Sequence, residues 1–146
     1  MKYLVILCLF FFSFTATEPM RVFLIGDSTM ADKVSADFPE TGWGMPFSQL
    51  FNEAVEVQNH AYNGRSTKSF RREGRWAKVF NQIKKGDYVL IQFGHNDAKV
   101  SDTSRYAPAQ TDFRENLIRY VRETRSKGGI PILLTPTQRR KFDSTG

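Results

Sequence analysis

Four short strand-like runs do most to constrain the fold: residues 21–25, 55–58, 88–93 and 130–134. The first and third are apolar almost throughout and run straight into glycine turns, Gly26-Asp27-Ser28 and Gly94-His95-Asn96-Asp97, as buried strands do. Between the runs the apolar spacing changes to that of helices. Phe47, Leu50 and Phe51 predict a short helix after Pro46. Trp76, Val79, Phe80 and Ile83 line one amphipathic face, with Gly86 expected to end it. The longest helix is predicted to start near Asp112, because Asp112 and Glu115 have capping-box spacing. Phe113, Leu117, Tyr120, Val121 and Thr124 then share a face until Gly128-Gly129. Strands alternating with helices imply a parallel sheet covered on both sides, an α/β fold. At 146 residues there is room for one such domain.

The N-terminus belongs to something other than that domain. Lys2 precedes an apolar run over residues 3–14, and Thr15, Ala16 and Thr17 follow as small residues. This is the three-part pattern of a secretory signal, so residues 1–17 are expected to be a cleaved leader. About 12 apolar residues fall short of the roughly 20 that a spanning helix needs, so no stable membrane anchor is expected. Export to a secreted or periplasmic location follows, with cleavage near Thr17. The sole cysteine, Cys8, lies inside the leader, so the mature chain is expected to carry neither a disulfide nor a thiol nucleophile. The net charge of +6 is concentrated at Arg71, Arg72 and Arg75 and at Arg139, Arg140 and Lys141. With no nucleic-acid motif in an exported chain, solvated faces or contacts to an acidic polymer are expected rather than DNA or RNA.

In open parallel sheets ligands bind beyond the carboxyl ends of the strands, and right-handed crossovers bring those ends to one rim. Three loops there hold candidate groups: Asp27-Ser28-Thr29, Asn63-Gly64-Arg65-Ser66 and His95-Asn96-Asp97. Taken singly, each is an ordinary turn sequence whose polar side chains bond to nearby backbone. Together they match what ester cleavage requires. A serine hydroxyl attacks the carbonyl, and donors stabilise the oxyanion that forms. A glycine amide permits close approach and an asparagine amide adds a second, uncharged donor. Ser28 is therefore the candidate nucleophile, and Gly64 and Asn96 the candidate oxyanion hole.

These blocks resemble the SGNH/GDSL hydrolases. Ile25-Gly26-Asp27-Ser28-Thr29 resembles their first block, Gly64 falls at the glycine of the second, and Gly94-His95-Asn96-Asp97 resembles the third. The likeness is closer to the rhamnogalacturonan acetylesterase branch, on the stretch from Asn59-His60-Ala61 to Gly64-Arg65-Ser66. Gly42-Trp43-Gly44 and the segment from Thr135-Pro136-Thr137 to Arg140 look like that branch too. The resemblance implies a flavodoxin-like three-layer α/β/α sandwich with strand order 2-1-3-4-5. It implies a serine esterase that removes acetyl groups from plant cell-wall polysaccharide, without a cofactor or metal. It also places Asp27, Thr29, Arg65 and His95 on the substrate side of the site.

The family's fourth block, Asp-x-x-His, supplies the histidine base and the aspartate that orients it. No Asp-x-x-His occurs in the sequence. With residues 130–134 as an unpaired apolar edge, the chain is expected to be an N-terminal fragment, truncated after the fourth strand and close to inactive alone. Residues 18–146 would be a partial hydrolase domain. His95 and His60 are weak substitutes for the base, since a base must reach the proton it removes. Two other readings stay open: a lipase or arylesterase acting on other esters, and a non-catalytic carbohydrate-binding remnant.

Overall fold

The computed structural model describes residues 18–34, 36 and 38–138. The expected leader with Cys8, and the basic run at 139–141, lie outside these described residues. Strands β1 (Met20–Gly26), β2 (Val55–Asn59), β3 (Tyr88–Gln92) and β4 (Ile130–Leu133) form a four-stranded sheet in the order β2-β1-β3-β4. All three pairings are parallel. Helix α1 (Gly44–Phe47), continued by a 3-10 turn at Ser48–Leu50, joins β1 to β2. Helices α2 (Thr67–Arg72) and α3 (Arg75–Gln82) join β2 to β3, and α4 (Arg114–Ser126) joins β3 to β4. This is the expected α/β sandwich, in the strand order of a flavodoxin-like sheet.

Alternation along β1 and β3 sorts the core into two halves. Phe23, Ile25, Val89, Ile91 and Phe93 meet Phe70 of α2, Trp76 and Val79 of α3 and Tyr120 of α4. Val22, Leu24 and Leu90 meet Met30, Ala31 and Ala61, with Trp43 and Phe47 packed at the edge. Most of the large, fully buried side chains are on the first face, and among the described residues the second face carries only the short α1. Phe70 is inaccessible and lies edge-on to Phe93 at 5.4 Å, while Tyr120 stacks on Phe93 and meets Trp76 edge-on. Arg71 forks onto the Glu123 carboxylate, which also accepts from Trp76 Nε1. Burial pushes that carboxyl up, but the bonds from Arg71 and Trp76 outweigh it and hold Glu123 below its usual range.

The structure departs from the sequence reading at three elements. Helix α2, at Thr67–Arg72, precedes the helix face read from Trp76 and was not picked out from the sequence. Its start is written in Ser66 and Ser69, each side chain bonding the other's backbone amide, a capping box with serine in place of the usual Glu or Gln. Helix α3 stops at Gln82, before Gly86, because Ile83 turns extended to bury its side chain and Asp87 ties the following turn through Lys84 N. The Asp112–Glu115 capping box does not form. Asp112 lies inside a wide π turn, Ala109–Phe113, that leads into α4 without a side-chain cap. Strand β4 is the exposed apolar edge expected of residues 130–134, with Ile130, Ile132 and Leu133 at 41%, 38% and 52% accessibility. Among the described residues it pairs only with β3.

Because Phe70 links α2 to the centre of the sheet, Phe70→Ala is expected to destabilise the fold by about 3–5 kcal/mol. Urea denaturation followed by tryptophan fluorescence measures this, and a change below about 1 kcal/mol would contradict the packing described.

Candidate active site

Strand β1 ends at Gly26, where a Cβ would lie 2.7 Å from the Gln92 carbonyl oxygen and 3.0 Å from Met30 Sδ. Only glycine allows β1 and β3 to approach so closely at their carboxyl ends. The chain then turns through Asp27, Ser28 and Thr29. Asp27 is 1% exposed, and its Oδ1 accepts from the Thr29 amide at 3.0 Å and hydroxyl at 2.8 Å. Its buried carboxyl braces the turn through the backbone amide two residues on, as polar side chains in turns do. The Thr29 hydroxyl is also 3.2 Å from Gln92 Oε1, so its one proton is engaged inside the protein. Ser28, between these two anchors, is partly exposed. Among the described residues its hydroxyl has no hydrogen-bond partner.

The second loop is laid against the first by backbone bonds. His60 N donates to Leu24 O and Tyr62 N to Gly26 O, continuing the pairing beyond the strands. Gly64 follows with φ +76°, a left-handed conformation that favours glycine. The third loop is joined to the second through Asn96, which is 3% exposed and donates from Nδ2 to Arg65 O at 3.0 Å. Ser28, Gly64 and Asn96 thus lie on three loops at one rim, two of them tied directly together. Arg65 bonds Glu73 Oε2 at 2.9 Å and lies 4.6 Å over the Tyr62 ring, with its side chain still 29% accessible. His95 is partly buried, with Nε2 against the Thr137 carbonyl oxygen. His60 stacks on Phe23 and meets Gln58 Oε1 at 3.3 Å, and burial lowers its pKa, which keeps it neutral.

Asp97 anchors the third loop from below. Its Oδ1 accepts from Thr67 N at 3.0 Å and from Thr67 Oγ1, while Oδ2 is buried without a partner. Asn116 Nδ2 bonds Thr67 Oγ1, and Tyr120 OH bonds Thr67 O. Burial drives the Asp97 carboxyl up to about 6, against the opposing bonds from Thr67 and with a further push from the charge of Asp27.

Several residues outside the expected set complete the rim. Gln92 Oε1 accepts from Trp43 Nε1 at 2.7 Å, and Gln92 Nε2 donates to Thr135 O at 3.0 Å. A polar residue inside an apolar strand is a signal that could have singled it out. Gly42 and Gly44 flank Trp43 where added Cβ atoms would meet Ala31 O at 1.9 Å and Met30 O at 2.5 Å. Pro136 sits over Gly94, its ring 2.9 Å from where a Cβ would be. The Gly-Trp-Gly and Thr-Pro-Thr stretches therefore close onto the carboxyl end of β3. Arg105 also reaches the rim, its Nη1 lying 3.4 Å from Asn96 Oδ1. No motif marks Arg105, because the loop that brings it there has no regular pattern.

Two hollows flank the loops. One of about 870 Å³ is mainly apolar, lined by Gly94, His95, Tyr106, Ala107, Phe113 and Pro136 among others. The other, about 350 Å³, is polar and borders Gly64, Arg65, Arg72, Glu73, Ser104 and Arg105. Among the described residues, no group of three His, Cys, Asp or Glu side chains is arranged to hold a metal ion. Nor is any described helix long and apolar enough to cross a membrane.

A sequence profile of the GDSL-like lipase/acylhydrolase family matches residues 24–145. The chain belongs to this family. It is similar to the rhamnogalacturonan acetylesterase RhgT of Bacillus subtilis, with 46% identity over 129 residues, 88% of this chain and 54% of that protein. The chain thus spans about half the length of this relative. A crystal structure of the B. subtilis protein YxiM superposes with a TM-score of 0.74 at 27% identity, over 87% of this chain and 36% of that one. The acetyl xylan esterase Axe2 of Geobacillus stearothermophilus, in a W215I variant, shares the fold with a TM-score of 0.55 at 21% identity, covering 78% and 58% of the two chains. In this GDSL-family chain the three loops described above hold the three blocks read from the sequence.

The Asp97 carboxyl yields a signed expectation. Its folded pKa of about 6 lies above the ordinary 3.8. Its contribution to stability is therefore fully present below about 3.8 and is lost as pH rises through about 6. Asp97→Asn is expected to remove that decline. Urea midpoints of both proteins between pH 4 and pH 7 test it, and parallel pH profiles would contradict it.

Proposed function

We propose that the whole protein is a serine esterase that removes acetyl groups from plant cell-wall polysaccharide such as rhamnogalacturonan or xylan. Ser28 is the nucleophile in this reading, with the Gly64 amide and the Asn96 side-chain amide receiving the oxyanion. The observation that carries it is the joining of the Gly64–Arg65 loop to Asn96 beside a partly exposed Ser28 whose neighbour Thr29 is held by Asp27 and Gln92. A nucleophile with donors fixed in advance suits a reaction in which charge develops on the carbonyl oxygen. The similarity to RhgT supports the polysaccharide substrate. Arg65 and His95 stand beside this site and contact the sugar in the same reading. No cofactor takes part, and nucleic acid is not a partner.

Activation of Ser28 needs a base, and the sequence holds no Asp-x-x-His. His60 is packed and neutral, and His95 is turned onto Thr137 O. In this proposal the 146-residue chain by itself is close to inactive. It retains at most the weak residual rate, about 1000- to 10000-fold over water, that survives loss of a triad member. The leader directs the protein to the secreted or periplasmic side.

A second reading, an esterase for longer acyl chains, draws support from the apolar hollow beside Gly94 and Phe113. Rates on a series of 4-nitrophenyl esters separate the two. The acetylesterase reading expects the acetyl ester to be fastest, and a preference for long chains would overturn it. For the whole protein acting on acetylated pectic polysaccharide, Ser28→Ala is expected to abolish acetate release. Asn96→Ala is expected to lower kcat by about 100- to 1000-fold. Undiminished release by the Ser28 variant would reject the mechanism.

A further inference from the structure

The loop after β3 folds around Asp102. Its Oδ1 accepts from the Ser104 amide at 3.1 Å and hydroxyl at 2.6 Å, and its carbonyl oxygen accepts from Arg105 N and Tyr106 N. The bonds from Ser104 and Arg105 hold the Asp102 carboxyl below its usual range, so it stays ionised near neutral pH. Arg105 places Nε 2.5 Å from Asp102 Oδ2, and Nη2 pairs with the same oxygen. One edge of the guanidinium is thus clamped, and the remaining nitrogen, Nη1, is aimed at the rim. There it lies 3.5 Å from Gly64 O and 3.4 Å from Asn96 Oδ1. It also lies 3.4 Å from where a Cβ on Gly64 would sit, so the guanidinium rests directly on this glycine.

We propose that Arg105 is a positioning residue that sets the spacing and donor strength of the two oxyanion donors, Gly64 N–H and Asn96 Nδ2. The inference rests on the esterase reading above for what those donors do. Asn96 is held at both ends of its amide: Oδ1 faces Arg105, and one Nδ2 proton goes to Arg65 O. An amide nitrogen carries two protons, so one remains for the substrate oxygen. A cation at Oδ1 draws electron density from the amide and makes that remaining proton a stronger donor. The same nitrogen lies beside the carbonyl of Gly64, so the guanidinium adds a second tie, next to the Asn96–Arg65 bond, between the two loops that carry the donors. Spacing matters because the donors must meet the developing oxyanion at about 2.7–3.1 Å. A misplacement of about 1 Å can cost roughly 100-fold. Arg105 acts through Gly64 and Asn96 and is not itself a catalytic residue.

The test is steady-state kinetics of the whole protein on 4-nitrophenyl acetate, with thermal melts confirming folded variants. Arg105→Met is expected to lower kcat by about 10- to 50-fold, less than loss of a donor outright, with KM changed less than about twofold, as for an interaction made in the transition state. In an Asn96→Ala background the same substitution is expected to cost much less, because most of its effect passes through Asn96. Asp102→Asn, which loosens the clamp, is expected to fall between wild type and Arg105→Met. A rise in KM with kcat unchanged would make Arg105 a substrate-binding group and overturn the proposal. An equal loss in the Asn96→Ala background would overturn it as well. Independently of turnover, Arg105→Met is expected to shift the Asn96 side-chain amide resonance in a 1H–15N spectrum, and an unmoved resonance would refute the contact. A wild-type protein inert to 4-nitrophenyl acetate would instead remove the esterase reading, leaving the resonance to decide the Arg105 contact.

Discussion

Parallel pairing of β1 between β2 and β3 is the constraint on which the rest of the molecule depends. It sends the three strands out at one rim, so that loops distant in sequence must meet there. It also buries both faces of β1 and β3, which explains their nearly continuous apolar sequence. The closeness of that pairing is set at Gly26, whose missing side chain lets the ends of β1 and β3 touch through Gln92. From this contact follow the turn at Ser28 and its brace through Thr29.

The rim is held by polar groups that work in pairs. Asp27 braces the first loop and Asp97 the third, and both carboxyls are almost inaccessible. They differ in their compensation. Asp27 Oδ1 receives an amide and a hydroxyl from within its own turn, whereas Asp97 reaches across to Thr67 and leaves one oxygen without a partner. An under-satisfied buried carboxylate costs free energy and is kept where a structure needs a rigid junction. Here that junction joins the start of α2 to the loop that carries Asn96. Gln92, Trp43 and Thr135 perform the same service on the other side of β3.

Much of this was legible in the sequence. Strand positions followed from apolar runs ending in glycine, and the three polar blocks stood at the ends of the first three strands. The errors have local physical causes. Helix α2 is short and begins on a Ser66–Ser69 box that lacks the usual acidic partner. Asp112 and Glu115 have the spacing of a cap, but Pro108 and the π turn take the chain through a wider path. Arg105 follows no motif, and its contact with Gly64 spans 41 positions.

The sequence by itself determined the order of strands and turns, the family, and which residue types stand where the strands end. These are local properties, set by side-chain periodicity and by the few residues that tolerate tight turns. Tertiary structure alone decided which polar groups are enclosed and which face outward. It buried Asp27 while leaving Ser28 partly open, turned His60 onto Phe23, and brought Arg105 onto Gly64 and Asn96. The physical reason is that burial and hydrogen-bond partners depend on sheet register and loop packing, which join residues that local patterns cannot relate.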